Sequence, residues 1–180
     1  DTEKGSADTS SASPTASADA TDGEHNAADV EFASQMIPHH VQALHMVDMA
    51  EERENLSPEF EQLLDDIEDT QEREVEQMAG WLKAWGEDVP PTDPDDAFGH
   101  MRHRSGPGMM TTEDMDELAR TPDAAHEGLW LVMMIEHHEG AIAMAEAEQE
   151  NGQFGPAVEL ARQIVITQRE EISRMEAMIS

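Results

Sequence analysis

Two copies of one helical segment occur in this chain, and the duplication is the strongest constraint on its fold. Each copy holds two methionines around a histidine pair. The equivalent residues are Met36, His39, His40 and Met46 in the first copy, and Met134, His137, His138 and Met144 in the second. A further matching pair of segments follows at residues 70–78 and 167–175. Apolar residues recur at helical spacing in all four segments, so the repeat predicts two helical hairpins of one design.

Helix start and stop signals divide the chain into these hairpins and a connection. Ser57-Pro58 is a typical helix beginning and Gly86 a typical helix end. We expect the first hairpin over residues 29–86, the second over 122–180, and a crossover containing one short helix over 87–121. No segment has the alternating pattern of a strand. The sequence therefore predicts an all-α fold, a four-helix bundle of two duplicated helical hairpins joined by a long crossover.

Residues 1–28 differ in composition from the rest of the chain. They are rich in Ser, Thr, Ala and Asp and contain almost no large apolar side chain. Such a segment cannot bury enough surface to offset the entropy lost on ordering, so we predict a disordered stalk. The chain begins at Asp1 without a methionine and has no apolar run of signal or transmembrane length. We interpret it as a processed, exported protein. If it is a lipoprotein, its lipid anchor would precede Asp1.

The charge balance excludes some partners. Asp and Glu number 41 against 10 Lys and Arg, which gives a formal net charge of −31. Such a surface repels nucleic acids and anionic membranes, and it attracts cations and basic proteins. We therefore expect no nucleic-acid partner. A solvated surface suited to a saline environment explains this acidity better than a specific acidic site does.

Soft metal donors are abundant, but none of them is a thiolate. The chain has 13 Met, 9 His and no Cys, so a soft-metal site must use thioether sulfur and imidazole nitrogen. Methionine also fills gaps between helices, and this role explains most of the thirteen. At about 100° per helical residue, Met36 and His40 lie roughly 40° apart, and His39 and Met46 roughly 20° apart. One helix face can therefore supply a site of Met and His.

The residue three positions before each histidine pair indicates the metal. Di-iron four-helix bundles use Glu-x-x-His motifs, because hard ions prefer carboxylates. Methionine occupies the glutamate position before both His39 and His137. Thioether donors favour copper, chiefly Cu(I) with Ag(I) as its chemical mimic, over iron or manganese. We therefore reject an iron oxidase or oxygenase as the interpretation.

The crossover adds further donors of the same kinds. They are His100, Met101, His103, Met109 and Met110. Metal binding and a merely exposed, irregular loop explain the first three equally well, and loop anchoring explains the last two slightly better. The predicted metal ligands are thus Met36, His39, His40, Met46, Met134, His137, His138, Met144 and these five crossover residues. For the two histidine pairs, the alternative is a buried polar pair bonded across the two-fold axis that relates the copies.

Three motifs together resemble one known family. They are Met36-Ile37-Pro38-His39-His40, the related stretch of residues 133–145, and Gly108-Met109-Met110-Thr111 with Met115. The chain from about Asp29 onward resembles the bacterial family catalogued as domain of unknown function three-hundred-and-five, which includes CopM-type copper-binding proteins. The resemblance implies a ferritin-like bundle and an exported, often lipid-anchored protein that binds copper through the residues named above.

The expected function is binding rather than catalysis. The chain has no Cys or Tyr, no serine in a nucleophile elbow and no Gly-rich phosphate loop, so we expect no enzyme activity. We predict an extracytoplasmic protein that sequesters Cu(I), or exchanges it with a partner protein, in support of copper tolerance. The alternatives are a metal-free, envelope-associated interaction module and, from a different class, a copper-dependent oxidase.

Overall fold

The computed structural model describes residues 23–101 and 106–180, apart from the side chains of residues 98–101. These residues form six helices and no strand. Four of the helices are long and two are short. In chain order they are α1 (Ala27–Glu51), α2 (Pro58–Trp85), α3 (Pro94–Met101), α4 (Thr112–Arg120), α5 (Asp123–Asn151) and α6 (Gly155–Ile179). The predicted all-α class is confirmed.

Local capping explains where several helices begin and end. The Asn26 side chain accepts hydrogen bonds from the backbone at the start of α1. In turn, the Asp29 side chain accepts a hydrogen bond from the Asn26 backbone amide, which completes a capping box. Ser57 caps α2 ahead of a proline in its first turn. Gly86 ends α2 with φ 75°, a left-handed conformation that glycine adopts at low cost. Most of the expected boundaries therefore follow from short-range chemistry.

The four long helices pack as two hairpins set against each other. Helix α1 packs on α2, α5 packs on α6, and α1 and α5 face each other. The Trp130 indole near the start of α5 donates to the carbonyl of Met46 near the end of α1, at 2.7 Å. At the other end of this helix pair, the side-chain amide of Asn26, just before α1, donates to the carbonyl of Asn151, the last residue of α5, at 2.8 Å. Helices α1 and α5 are therefore antiparallel.

Two features of the connections were not predicted. The described part of the crossover contains two short helices where one was expected, and the additional helix, α3, packs against α1. Helix α1 begins at Ala27, and His25 stacks on Trp85 at 4.3 Å between ring centroids, so described contacts reach into the last residues assigned to the stalk. The remaining residues of the predicted stalk, 1–22, lie outside the described part, and the division into stalk and domain stays a prediction.

None of the described helices is both long enough and apolar enough to cross a membrane.

The apolar core consists of two clusters, and all four long helices contribute to both. One cluster contains Met36, Val75, Ala141 and Ile164. The other contains Met46, Ile67, Met134 and Met175. On α2 and α5 the change from one cluster to the other is a gap in the apolar sequence pattern. Polar residues in these gaps, together with polar residues of α1 and α6, form the candidate site described below.

The crossover returns to the helices at Pro107 and Gly108. A Cβ atom added to Gly140 of α5 would overlap the Pro107 carbonyl and the Gly108 amide. Gly108 itself has φ 70° and lies against the backbone of Glu136 and Gly140. Two glycines thus allow the loop backbone to touch the helix backbone directly.

We predict that Gly140→Ala destabilises the protein by about 1–3 kcal/mol, because the new methyl group must displace the loop. Gly128→Ala on the same helix is the matched control, since its added Cβ would meet nothing within 4 Å. The control should be neutral, or more stable by up to about 1 kcal/mol, through helix propensity. Denaturant unfolding measures both changes. Equal stabilities for the two variants would contradict the close packing of loop and helix.

A buried carboxyl pair joins the start of α1 to the corner between α5 and α6. Asp29 accepts hydrogen bonds from the backbone of Asn26 at 2.7 Å and of Gln153 and Phe154 at 3.0 Å. Glu148 lies beside it, and no donor among the described residues reaches either of its carboxylate oxygens. Burial, together with the neighbouring Asp29, raises the pKa of Glu148 to about 8. Glu148 therefore carries a proton at neutral pH.

The raised pKa of Glu148 should make the folded protein less stable as pH rises from about 4.5 to 8, because only the native state holds this proton there. Glu148→Gln keeps the neutral form at every pH. We expect this variant to unfold a few degrees above the wild type at about pH 9, and the gap to close near pH 5. Thermal melts across this range provide the test, with the exposed Glu150→Gln as control. A constant gap would contradict the assignment.

Candidate metal centre

Buried polar side chains form a layer across the interior, between the two apolar clusters. Each long helix contributes two of them. The residues of this polar layer are His39 and His40 on α1, Gln71 and Glu74 on α2, His137 and His138 on α5, and Gln168 and Glu171 on α6. None is more than 8% exposed. Burial of so many polar groups is costly unless each finds a partner, so the layer points to a function.

The duplication explains the composition of the layer. The histidine pairs of α1 and α5 are equivalent in the repeat, and so are the Gln-x-x-Glu segments of α2 and α6. A separation of three residues places Gln71 and Glu74 on one helix face, and likewise Gln168 and Glu171. Each hairpin therefore brings one histidine pair and one Gln-x-x-Glu face to the middle of the molecule.

The second histidine of each pair bonds to a glutamate of its own hairpin. The Nε2 atom of His40 lies 2.6 Å from Oε2 of Glu74, and Nε2 of His138 lies 2.7 Å from Oε2 of Glu171. Both imidazoles are fully buried, and the two carboxylate side chains are 10% and 6% exposed. These are short, charge-assisted contacts, and they fix both rings in position.

The first histidines of the two pairs meet each other. The rings of His39 and His137 lie 3.8 Å apart between centroids and are tilted by 36°. Because these two residues are equivalent in the repeat, the local two-fold axis passes between them. The Nε2 atom of His39 also donates to the carbonyl of Pro107 in the crossover, at 3.0 Å. The two histidines thus meet across the axis, as in the alternative interpretation of a buried polar pair, and the observed contact is between their rings.

The crossover is anchored beside this histidine pair by Gln42. Its side-chain amide donates to the carbonyl of Met110 at 3.0 Å, and its side-chain oxygen accepts from the Met110 amide at 2.8 Å. Pro107 bonds to His39 and packs on Gly140 nearby. The loop of residues 106–110 therefore covers the α1–α5 side of the polar layer.

Several imidazole nitrogens in the layer have no hydrogen-bond partner among the described residues. They are the Nδ1 atoms of His39, His40 and His138 and both ring nitrogens of His137. All are shielded from solvent. A buried nitrogen lone pair without a donor is a cost to the fold, and a metal ion is a common way to remove it. The layer thus contains imidazole nitrogens, which are donors that copper and zinc accept.

The electrostatics keep the central pair neutral. Burial, and then the positive charge that His40 would carry, lowers the pKa of His39 to about 3. Burial and the neighbouring His39 lower the pKa of His137 well below its usual value of 6.5. Both imidazoles therefore hold free lone pairs at neutral pH, which is the form that binds metals.

The predicted thioethers lie on both sides of the polar layer. Met36 is buried in one apolar cluster, against which Met109 and Met144 pack. The other cluster contains Met46, Met110 and Met134. Met36 and Met46 are ten residues apart, about 15 Å along the helix axis, so the layer separates the two methionines of each copy. Each side of the layer therefore combines methionines of both copies, Met36 with Met144 on one side and Met46 with Met134 on the other.

The side chains of the other predicted crossover donors lie outside the described part of the structure. His100 and Met101 belong to the last turn of α3, and their side chains are outside the described part. His103 lies in residues 102–105, outside the described residues altogether. The role of every predicted ligand in metal binding stays a prediction.

Sequence reasoning missed the two glutamates and Gln42. Glu74 and Glu171 are two of 41 acidic residues, so their residue type alone did not distinguish them, although both stand at equivalent positions of the repeat. A useful signal was present on α2, where Gln71 and Glu74 interrupt the buried positions between Ile67 and Val75. A polar residue in a core-facing helical position needs a buried partner, and here the partner is histidine.

The fold and the polar layer define an all-helical protein with a duplicated, histidine-centred interior. A family model described as domain of unknown function DUF305 matches residues 29–179, and the chain belongs to this family. No similar sequence was found among curated proteins.

Solved structures of the same fold include two from this family. A DUF305 fragment from Deinococcus radiodurans is 32% identical, covering 87% of this chain and 98% of that one with a TM-score of 0.73. A DUF305 protein from Streptomyces coelicolor, described as secreted, is 33% identical, covering 84% and 91% with a TM-score of 0.72.

A third similar protein, CopM, was solved with metals. Its Cu(II)-bound form is 30% identical, covering 84% of this chain and 95% of that one with a TM-score of 0.70. Its Cu(I)-bound form aligns with 27% identity over 83% and 94%, with a TM-score of 0.66. Silver-bound and apo forms of CopM share the fold.

The lowered pKa of His39 predicts a specific acid sensitivity. Between pH 6.5 and about 3 the unfolded chain binds a proton at this residue and the native state does not, so stability falls as pH falls. In metal-free protein, His39→Gln should remove this contribution, which is about 3 kcal/mol at pH 4. Denaturant unfolding of both proteins at several pH values measures it. Parallel stability curves would contradict a buried, neutral His39.

Proposed function

We propose that this protein binds copper, with Cu(I) preferred, through the polar layer and the methionines beside it. The observation that carries the proposal is the set of buried, unpartnered imidazole nitrogens of the two histidine pairs. Methionine sulfur lies in the apolar clusters on both sides of these nitrogens. Thioether and imidazole together form a donor set that selects Cu(I) or Ag(I).

The chemistry of the layer argues against a hard metal. Its two carboxylates are already engaged with His40 and His138, so they orient imidazoles. Iron and manganese sites in helical bundles use several carboxylates as direct ligands. The donors left free in this interior are nitrogen and sulfur, and the chain has no thiolate. Copper fits this set better than iron, manganese or zinc does.

The similarity to CopM supports the same conclusion. CopM was solved with Cu(I), Cu(II) and silver, and it shares this fold at 26–30% identity. The similar Streptomyces protein is described as secreted, which supports an extracytoplasmic location for this chain. We extend the proposal to a ferritin-like four-helix bundle that sequesters copper, or passes it by ligand exchange to a partner protein, without enzymatic turnover.

The first test is a titration of the purified protein with Cu(I) against a competing chromogenic chelator, with Zn(II) and Fe(II) as controls. We expect saturable Cu(I) binding that persists against the chelator and little binding of the other two ions. Binding no stronger than that of an acidic surface would overturn the proposal and favour the metal-free interaction module.

Paired methionine variants test the thioethers. Met36→Leu with Met134→Leu should lower Cu(I) affinity at least tenfold while the fold is retained, because leucine fills similar space without sulfur. Met78→Leu with Met175→Leu is the matched control, since these methionines are also fully buried and equivalent in the repeat. The control should keep wild-type affinity. An equal effect in both pairs would show that packing, and not ligation, is responsible.

A further inference from the structure

We propose that Glu74 and Glu171 are positioning residues, which fix the tautomer of His40 and His138 so that Nδ1 of each is the nitrogen offered to a metal. The inference rests on the proposed function for its purpose, but it concerns hydrogen positions in the metal-free protein. Neither glutamate is among the ligands that sequence analysis predicts. The proposal gives them a role separate from ligation.

The geometry leads to this assignment in one step. An ionised carboxylate can only accept hydrogen bonds, so the imidazole nitrogen that faces it must carry the hydrogen. Nε2 is that nitrogen in both rings, at 2.6 Å in His40 and 2.7 Å in His138. A neutral imidazole has one ring hydrogen, so its Nδ1 atom then holds a free lone pair. In both residues Nδ1 is the nitrogen that no described residue hydrogen-bonds.

Burial makes the constraint effective. Both imidazoles are fully buried, and the carboxylates are 10% and 6% exposed, so water does not compete strongly for the Nε2 hydrogen. A histidine whose second nitrogen donates to a carboxylate has a fixed ring orientation and is a more basic ligand. The two pairs occupy equivalent places in the duplication, which repeats the device in each hairpin.

The two first histidines lack this carboxylate. His39 donates from Nε2 to the Pro107 carbonyl, and no carboxylate among the described residues hydrogen-bonds to His137. The layer therefore holds two imidazoles fixed by glutamates of α2 and α6, one held by the crossover, and His137, which no described glutamate or crossover residue holds by a hydrogen bond. The proposal assigns the fixed tautomer to His40 and His138 through the glutamates alone.

The test uses ¹⁵N chemical shifts of the histidine rings in metal-free protein, together with Cu(I) affinity. In the wild type, His40 and His138 should each show a hydrogen on Nε2 and none on Nδ1. Glu74→Gln replaces a pure acceptor by an amide that also donates, so His40 should become a mixture of tautomers while His138 stays unchanged. Glu171→Gln should give the reverse result. Each variant thus contains its own control.

Cu(I) affinity should fall about 10–100-fold in either variant, the usual effect of losing a partner of a ligating histidine. Glu76→Gln and Glu170→Gln are matched controls, since they remove the same charge from exposed positions of the same helices. These controls should keep wild-type tautomers and affinity.

Several results would overturn the inference. A hydrogen on Nδ1 in the wild-type rings would do so, and so would unchanged tautomers in both glutamine variants. Lower affinity with unchanged tautomers would also count against it, because the glutamates would then act through the fold. If the wild type shows the expected tautomers but binds no copper, the proposed function fails and the positioning role stands.

Discussion

The hydrogen bonds from buried imidazoles to Glu74 and Glu171 are the constraint on which the rest of the interior depends. They place ionisable groups in the middle of a core that is otherwise apolar, and the cost is acceptable only because the partners meet at short distances. Each bond connects the two helices of one hairpin and fixes their relative position along the helix axes. The contact of His39 with His137 then sets the height of one hairpin against the other.

The duplication is symmetric in its helices and asymmetric in its connections. Both hairpins contribute a histidine pair and a Gln-x-x-Glu face, but only one crossover exists, and it bonds to the first copy through His39 and Gln42. His137, the equivalent of His39, has no such bond to the described part of the crossover. The two halves of the layer therefore present different chemistry, although they derive from one sequence pattern.

Much of the fold, and about half of the site, could be predicted from the sequence. Capping residues such as Ser57 and Thr111 act over one helical turn, so they mark helix starts without tertiary information. Helix α3 was not predicted, because its Pro- and Asp-rich sequence is equally typical of a loop and its contact with α1 is not local. The side of the layer on which each methionine lies depends on the antiparallel pairing of α1 and α5, which periodicity within one helix does not contain. Glu74 and Glu171 gained their role from distant histidines.

The division of the core into two apolar clusters has a consequence for how the molecule holds together. Each cluster draws side chains from both hairpins, and the polar layer keeps the clusters apart. A single hairpin thus supplies only part of each cluster, and its buried faces are completed by the other copy. The segment that was duplicated is a unit of sequence, whereas the unit of stability is the pair of hairpins.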